Sequence, residues 1–414
     1  MPVRLTDDLA ETAWAVSQAM REPVWAKRER KVARLVTGGL GLPSPRDERW
    51  RRTDLTRLGL DLSVINAPDP ARLEPVSVSG GDRVAIRLPT AVASELDGCQ
   101  DMCTFPEPQD LLEALHRALW SDGVLLDLPA GHVTPAPVTI HLPAPPSGSS
   151  VFYTLILRAR AGSRGVVIIE DQDGPATVPG SPTPRLSYTH IFVVLEPGAA
   201  LTCLAGHGRK SISYDFTRVI AVLGEQSALD WTVVPHGHPG VVRYGLEANL
   251  QGTGASAQGR FLYTADARQP VHLDLGGQYL HRARLTQSRI VTRGVLAGQA
   301  RAVLRGFTDI EKGAARSKAY QHMQALLLDS RARADSIPAL KVDENDVQAG
   351  HATAAGPLDQ DQVFYLTSRG LDPATARRLM ITGFYEPVLV EVPAALRDLA
   401  RLYLGLAPDE EAIA

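Results

Sequence analysis

The chain is poor in cysteine, the residue on which secreted disulfide scaffolds and most zinc-binding modules depend. Its 414 residues contain only 3 cysteines, an odd and sparse set. Secreted disulfide scaffolds carry denser, usually even sets. Cys99 and Cys103 form a C-x-x-x-C pair, but a structural zinc site would need two further ligands and usually another spacing. We therefore expect these two and Cys203 to be ordinary buried or half-buried thiols.

Long apolar runs and an excess of one charge are absent as well. No stretch is apolar over the length of a bilayer, so no membrane-spanning helix is expected. The formal net charge of −3 gives no footprint for nucleic acid or an anionic membrane. The N-terminus, MPVRLTDDLAETAWAV, lacks the basic start and apolar centre of a signal peptide. These features predict a cytoplasmic protein that binds neither nucleic acid nor a membrane.

The short motifs of common enzyme classes are also missing. The sequence contains no Ser-His-Asp, Walker or dinucleotide-binding signature. The glycine-rich stretches 162–165 and 252–254 lack the P-loop lysine and do not lie between a strand and a helix of a βαβ unit. They are predicted to be turns.

Short β-type runs, by contrast, fill residues 133–342. Gly, Asp, Pro or Asn separates nearly every pair, and such regular spacing indicates a sandwich, a barrel or a β-solenoid. Small and polar residues inside apolar frames, as at 250–257, favour a solenoid, as does the lack of a long Greek-key connection. The predicted strands are Val138–Leu142, Val151–Leu157, Val166–Glu170, Leu186–Leu195, Ala200–Leu204, Tyr214–Leu223, Leu229–Val234, Val241–Leu250, Gln258–Tyr263, Val271–Gln278, Leu285–Thr292 and Ala302–Phe307.

A solenoid of this kind could belong to a carbohydrate-acting β-helix enzyme. Such an enzyme needs a carboxylate pair, or calcium-binding acids, on one face of successive coils. The acids nearest one another, Asp343, Glu344 and Asp346, lie in one turn beyond the predicted core. This class of enzyme therefore remains only an alternative.

Regions with helical spacing flank the predicted core. Residues 1–75 are predicted to be an N-terminal helical region. Residues 76–132 are predicted to be a small mixed α/β region, with Asp110–Leu119 as its clearest helix. Residues 343–414 are predicted to be a C-terminal helical domain.

The C-terminal domain has clear helix boundaries. Asp359 can cap one helix, and Gly370 can end it in the left-handed conformation. Asp372-Pro373 is a capping residue followed by proline at the first helical position. The segment GHATAAGP, which contains His351, is rich in small residues and is predicted to be an exposed connection.

The last third of the chain carries an ordered series of motifs: F-x-D-I, P-A-L-x-V, N-D-V, H-A-T-A-A-G-x-L-D and V-F-Y-L-x-S-R-G. Two earlier motifs precede them, E-x-W-x-x-T-D-L at 48–55 and DGV at 122–124. Together these motifs resemble the SufB/SufD family of iron–sulfur cluster assembly proteins, SufD branch. The resemblance covers about residues 43–405, and it implies a right-handed parallel β-helix as the core. The expected fold is thus mainly β, with helical regions at both ends.

The resemblance also separates a SufB-like scaffold from a SufD-like partner. The scaffold branch has a cysteine after the glutamine of Q-C-D-S and a glutamate after the histidine of H-E-A. Here those places are Gln321-His322 and His351-Ala352, so both the thiolate and the carboxylate are missing. Ala349 replaces a cysteine that often precedes the SufD histidine. Such a subunit is a poor scaffold by itself.

The resemblance implies that His351 faces a SufB partner near the cluster-forming site. His351 is therefore the candidate ligand for iron or a transient iron–sulfur cluster at that interface. His322 is a weaker candidate. Imidazole can bind iron, but a histidine at the place of the scaffold cysteine is better explained as a substitution tolerated because the ligand role was lost. We expect no cofactor to be tightly bound by the isolated chain, and no catalytic residue.

Three partner contacts are predicted from the resemblance. Arg369, Met380 and Phe384 are expected to form part of the surface that binds a SufC-like ABC ATPase. A SufB-like scaffold subunit is expected to pair with the β-helix core. The chain alone is expected to form a homodimer through residues 300–340, and a SufB-like scaffold acting as a homodimer is the second functional hypothesis.

Overall fold

The computed structural model describes most of the chain from residue 40 to residue 406. The described residues are 27, 30–31, 40–60, 75–80, 85–88, 107–145, 148–172, 185–208, 213–236, 240–267 and 271–406. The predictions for Cys99, Cys103 and most of the N-terminal helical region lie outside these residues.

The described strands form a parallel β-helix made of two long sheets, which confirms the predicted fold class. Successive strands alternate between the sheets, so each coil contributes one strand to each. Sheet 1 contains β1 (Ser77–Ser79), β4 (Val138–Leu142), β6 (Arg164–Asp171), β8 (Ala200–His207), β10 (Ala228–Pro235), β12 (Ser256–Ala267), β14 (Gln287–Gly298), β16 (Lys318–Leu327) and β18 (Gln348–Pro357). Sheet 2 contains β2 (Ala85–Arg87), β3 (Asp122–Leu128), β5 (Ser150–Ala159), β7 (Arg185–Leu195), β9 (Ser213–Leu223), β11 (Gly240–Leu250), β13 (His272–His281), β15 (Arg301–Ile310) and β17 (Arg333–Val342).

Alternation of side chains along each strand builds the interior. In β4, Val138, Ile140 and Leu142 are buried, while the residues between them are half-buried. The inward rows of both sheets stack into one core that runs along the solenoid. Burying a large apolar side chain contributes about 1.5–3 kcal/mol, so the repeated inward rows stabilise every coil on its neighbours.

The predicted exposed connection around His351 is wrong, because this segment is strand β18. It pairs in parallel with β16, and its small residues lie in register with Ala319–Leu327. Backbone hydrogen bonds to β16 hold this strand although its side chains have little β-propensity. A prediction from residue types alone therefore missed it. The sheet therefore extends beyond residue 342.

The N-terminal end of the solenoid is covered. The short strands β1 and β2 add antiparallel pairs to β4 and β3. Asp110 caps helix α1 (Leu111–Leu119), because its side chain accepts a hydrogen bond from the Glu113 backbone N–H. Trp50, in a 3₁₀ turn at Glu48–Trp50, packs with α1 in an apolar cluster on the outer face of sheet 2.

Three helices follow the last strand: α2 (Gln360–Ser368), α3 (Pro373–Leu389) and α4 (Ala394–Tyr403). The predicted caps are confirmed, since Asp359 and Asp372 each accept two backbone N–H groups at their helix starts. Gly370 has a φ of +96°, as its predicted left-handed role requires. Helices α3 and α4 pack on the outer face of sheet 1 through an apolar cluster that includes Tyr385 and Leu396. None of the described helices is long and apolar enough to cross a membrane.

Candidate functional site

The C-terminal end of the β-helix is open. Within the described part of the chain, β17 pairs on one side with β15, and β18 pairs on one side with β16. The other edge of each strand therefore presents unpaired backbone N–H and C=O groups. Edges of this length are templates for pairing with another chain.

The inward faces of the last coil are also uncovered. In β17 the inward residues Ser336, Pro338 and Leu340 are only half-buried. Their partners one coil earlier include Leu304 and Thr308, both 0% exposed. The interior thus ends abruptly at a surface that another coil could extend.

His351 lies on this open surface. It is exposed and in register with Gln321 of β16, which is 2% exposed. Registered residues of parallel strands share a face, so His351 lies on the inward side of the terminal coil. Thr353, two residues further along, is on the same face and is also exposed.

Gln321 forms the floor beneath this position. Its Nε2 donates to Thr308 Oγ1 at 2.9 Å and to the Ala339 carbonyl oxygen at 3.0 Å, which ties sheet 1 to the edge strand β17. A Cβ on Gly306 would collide with Gln321 Oε1 and Met323, so this glycine makes room for the amide. The two hydrogen bonds of the Gln321 amide hold the last coil in place, although the inward face of that coil is uncovered.

His322 points away from His351. It follows Gln321 directly and therefore lies on the outer face of sheet 1, in register with Ala352. Burial, and next the nearby Arg293 and Arg289, lower the pKa of His322. The neutral imidazole can bind a metal, but the two candidate histidines do not converge on one site.

The neighbouring acids have local partners of their own. Lys341 Nζ lies 3.0 Å from an Asp343 carboxylate oxygen. Glu344 accepts backbone hydrogen bonds from Gly313, Asp346 and Asn345, which lower its pKa. No hydrogen bond or ion pair joins these acids to His351 in the described residues. These acids therefore do not orient the His351 side chain by direct contact.

The donors for a complete metal site are not assembled in the described part of this chain. There, no three His, Cys, Asp or Glu side chains lie together so that they could hold a metal ion. A metal held by His351 would need its other ligands from a second chain. Cys203, in the solenoid interior, is not a substitute, because it is fully buried and burial raises the pKa of its thiol.

A second surface lies on the C-terminal helices. Phe364 and Tyr365 of α2 are 74% and 56% exposed, and Leu379 of α3 is 51% exposed. Arg369, at the end of α2, is also exposed, and its guanidinium lies 5.2 Å from the centre of the Tyr365 ring. Three large apolar side chains are thus exposed on two helices that contact each other, and a partner could bury them.

The predicted contacts Met380 and Phe384 are less accessible. Both are half-buried, and Phe384 packs against the cluster between the helices and sheet 1. The Arg293 guanidinium lies 5.2 Å from the Phe384 ring centre. Sequence reasoning missed Phe364 and Leu379 as exposed residues, because helical spacing does not tell which face a sheet covers.

The architecture defines a class: a parallel β-helix with one covered end, one open end and a C-terminal helical pair. Residues 144–384 match the family described as "SUF system FeS cluster assembly, SufBD core domain". This match covers more than half of the chain. The chain therefore belongs to the SufB/SufD family of iron–sulfur cluster assembly proteins, on the SufD branch.

Individual relatives agree with this assignment. The chain is 28% identical to the iron–sulfur cluster assembly protein SufD of Bacillus subtilis, over 68% of this chain and 63% of that protein. It is 27% identical to a SufBD family protein of Mycobacterium leprae, over 85% of this chain and 86% of that protein. A Mycobacterium bovis family member is 38% identical over 34% of this chain, but the match spans 17% of that relative's length.

Proposed function

We propose that this chain is a SufD-like, non-catalytic subunit of a Suf complex. It pairs with a SufB-like scaffold through the open end of its β-helix and binds a SufC-like ATPase through its C-terminal helices. The observation that carries the proposal is the uncovered terminal coil with His351 on its inward face. The family assignment argues against the alternative hypothesis of a carbohydrate-acting β-helix enzyme, which the sequence alone had left open.

The open end supports a partner with the same kind of fold. A second solenoid can continue both ladders at β17 and β18 with main-chain hydrogen bonds. It would also bury Leu340 and the small residues around it. A loop or a helix laid across this end would leave part of the two strand edges unpaired.

The position of His351 supports a shared site for iron or a cluster at that junction. Iron or the cluster is the cargo of the assembly reaction rather than a resident cofactor. His351 would supply one imidazole, and the partner would supply thiolate or carboxylate ligands that this chain lacks at Gln321-His322 and His351-Ala352. Burial by the partner would exclude water from the site.

The exposed helical surface supports docking of the ATPase. Phe364, Tyr365 and Leu379 offer apolar contact area, and Arg369 offers a charged rim. ATP hydrolysis then belongs to the SufC-like subunit. Outside the complex, the same open end of the β-helix supports formation of a homodimer of this chain.

A scaffold homodimer is the second candidate, because two copies of this open end could also meet. Anaerobic reconstitution distinguishes the two functions. The isolated chain, the SufB-like partner and the pair are each given iron and sulfide, and bound iron and sulfide are counted. We expect a cluster with the pair and none with the isolated chain. Stoichiometric iron and sulfide on the isolated chain would establish the scaffold instead.

A further inference from the structure

A cavity of about 360 Å³ lies on the outer face of sheet 2. The C-terminal helices α3 and α4, in contrast, pack on the outer face of sheet 1. The floor of the cavity consists of β9, β11, β13 and β15 together with Ile337 and Ala339 of β17, and its roof comes from Glu48–Trp50 and the start of α1. Its volume is in the range of about 300–1,000 Å³ that is typical of small-molecule sites. We call it the sheet-2 cavity.

The floor of the sheet-2 cavity is free of side chains at its centre. One row of registered residues runs across four strands as Arg218, Gly245, Gly276 and Arg305. Gly276 is required by packing, because a Cβ there would lie 2.5 Å from the Arg305 Cβ. Two arginines thus flank a flat glycine surface.

Gly245 has no such structural reason. A Cβ at this position would meet no atom within 4 Å, and Gly245 is not among the positive-φ glycines. Glycine inside a strand usually weakens it, by roughly 0.5–1 kcal/mol relative to alanine. The absence of a side chain at Gly245 leaves this part of the cavity open.

Aromatic rings form the apolar part of the walls. Trp50, Tyr188 and Phe216 line the cavity. The Arg243 guanidinium lies 3.7 Å from the centre of the Trp50 ring, which holds both side chains in place. Rings beside a flat floor form a slot for a planar group.

The charged lining consists of four arginines and five carboxylates, and two of the arginines keep N–H groups that no described residue accepts. Arg218 donates to Glu113 at 2.5 Å and to Glu247 at 3.5 Å, which leaves its Nε–H without a hydrogen-bond acceptor among the described residues. Arg243 donates from Nη1 to Asp274 at 3.2 Å, and in the described part of the chain Nε and Nη2 have no hydrogen-bond acceptor. Each lining carboxylate, in contrast, is paired with an arginine, as shown by Glu48, Asp110, Glu113, Glu247 and Asp274.

We propose that the sheet-2 cavity binds a planar aromatic carboxylate with a single negative charge. The ring lies on the glycine floor beside Trp50 and Phe216, and the carboxylate accepts N–H groups of Arg218 and Arg243. Because five carboxylates and only four arginines line the cavity, a polyphosphate would be repelled, whereas one carboxylate can accept the unused N–H groups of Arg218 and Arg243. The cavity reaches Ile337 and Ala339 of the edge strand β17 at one side, and no residue of the C-terminal helices lines it.

Calorimetric titration of the full-length chain with 2-naphthoate tests this proposal, and the neutral 2-naphthamide is the matched probe. We expect saturable binding of 2-naphthoate at one site. Arg218→Gln should weaken 2-naphthoate by about tenfold or more and leave 2-naphthamide nearly unchanged, because only the charged group uses the guanidinium. Equal losses for both probes would contradict a carboxylate site.

Gly245→Leu is the blocking variant. Its side chain should fill the slot and abolish binding of both probes, while the melting temperature stays equal or rises. Gly383→Leu is the control, because it adds the same side chain at an exposed glycine of α3 with open space around it. The proposal is wrong if wild-type protein shows no saturable binding at millimolar probe, or if Gly245→Leu binds normally.

Discussion

The two ends of the β-helix are built in opposite ways. At the N-terminal end, β1, β2, α1 and Trp50 cover the first coils, and Leu126 and Leu157 are 0% exposed. At the C-terminal end, Leu340 is half-buried and His351 is exposed. The same repeated coil therefore gives stability at one end and an unfinished surface at the other. A solenoid must be capped or paired at each end, so the uncapped end is the one to which a partner can bind.

Truncating a leucine in each part should separate the two roles most strongly. Leu157→Ala removes a fully buried side chain of β5 and should cost about 2–5 kcal/mol in the free energy of unfolding. Leu340→Ala should cost about 1 kcal/mol or less, because its side chain is already partly in water. Urea unfolding of the isolated chain measures both. Equal losses would mean that the open end is not a distinct region.

The C-terminal helices offer a second contrast, between an exposed and a packed residue. Leu379→Asp should abolish co-purification with the SufC-like ATPase at an unchanged melting temperature. Phe384→Asp should lower the melting temperature, because a carboxylate would replace a ring that packs between α3 and sheet 1. Thermal melting and pull-down measure the pair. Normal ATPase binding by the Leu379 variant would show that another surface docks the ATPase.

Replacing each histidine near the open end tests which of them binds the iron or the iron–sulfur cluster. His351→Ala should lower cluster formation by about 10–100-fold. A loss of this size is typical even when the residue removed only hydrogen-bonds to a metal ligand. The fold, the partner complex and ATP hydrolysis should remain, since the side chain is exposed. His322→Ala is the control on the outer face and should have a much smaller effect. If the His322 variant fails while the His351 variant assembles clusters normally, the histidines have been assigned the wrong way round.

The smallest effect is expected on self-association. Without its partner, the chain should form a homodimer through β17 and β18; β17 overlaps the predicted range of 300–340, whereas β18 lies beyond it. Thr353→Lys places a charge on the inward face and should shift the population towards monomer. Ala354→Lys, on the outer face of the same strand, should not. Light scattering at micromolar concentration measures the mass; a strictly monomeric wild-type chain would argue against this interface.

Local chemistry made much of this fold predictable. The strand Val138–Leu142 was expected with the bounds that it has, because its alternation is strict and proline and glycine flank it. The helix starts at Asp359 and Asp372 were predictable because a capping carboxylate acts on N–H groups two or three residues away. The general resemblance to the SufB/SufD family also followed from motifs alone.

Contacts between distant residues decided the rest. Strand β18 has little propensity of its own and exists because β16 offers it a ladder. Only strand register places His351 and His322 on opposite faces. Only the packing of α3 on sheet 1 hides Phe384 and exposes Leu379. The sequence by itself determined the short β-strands and the helix boundaries, because these depend on neighbours within a few residues, and its motifs implied the β-helix through their resemblance to the SufB/SufD family. The open end, the accessible helix face and the sheet-2 cavity were decided by tertiary structure, because each brings together residues from different coils.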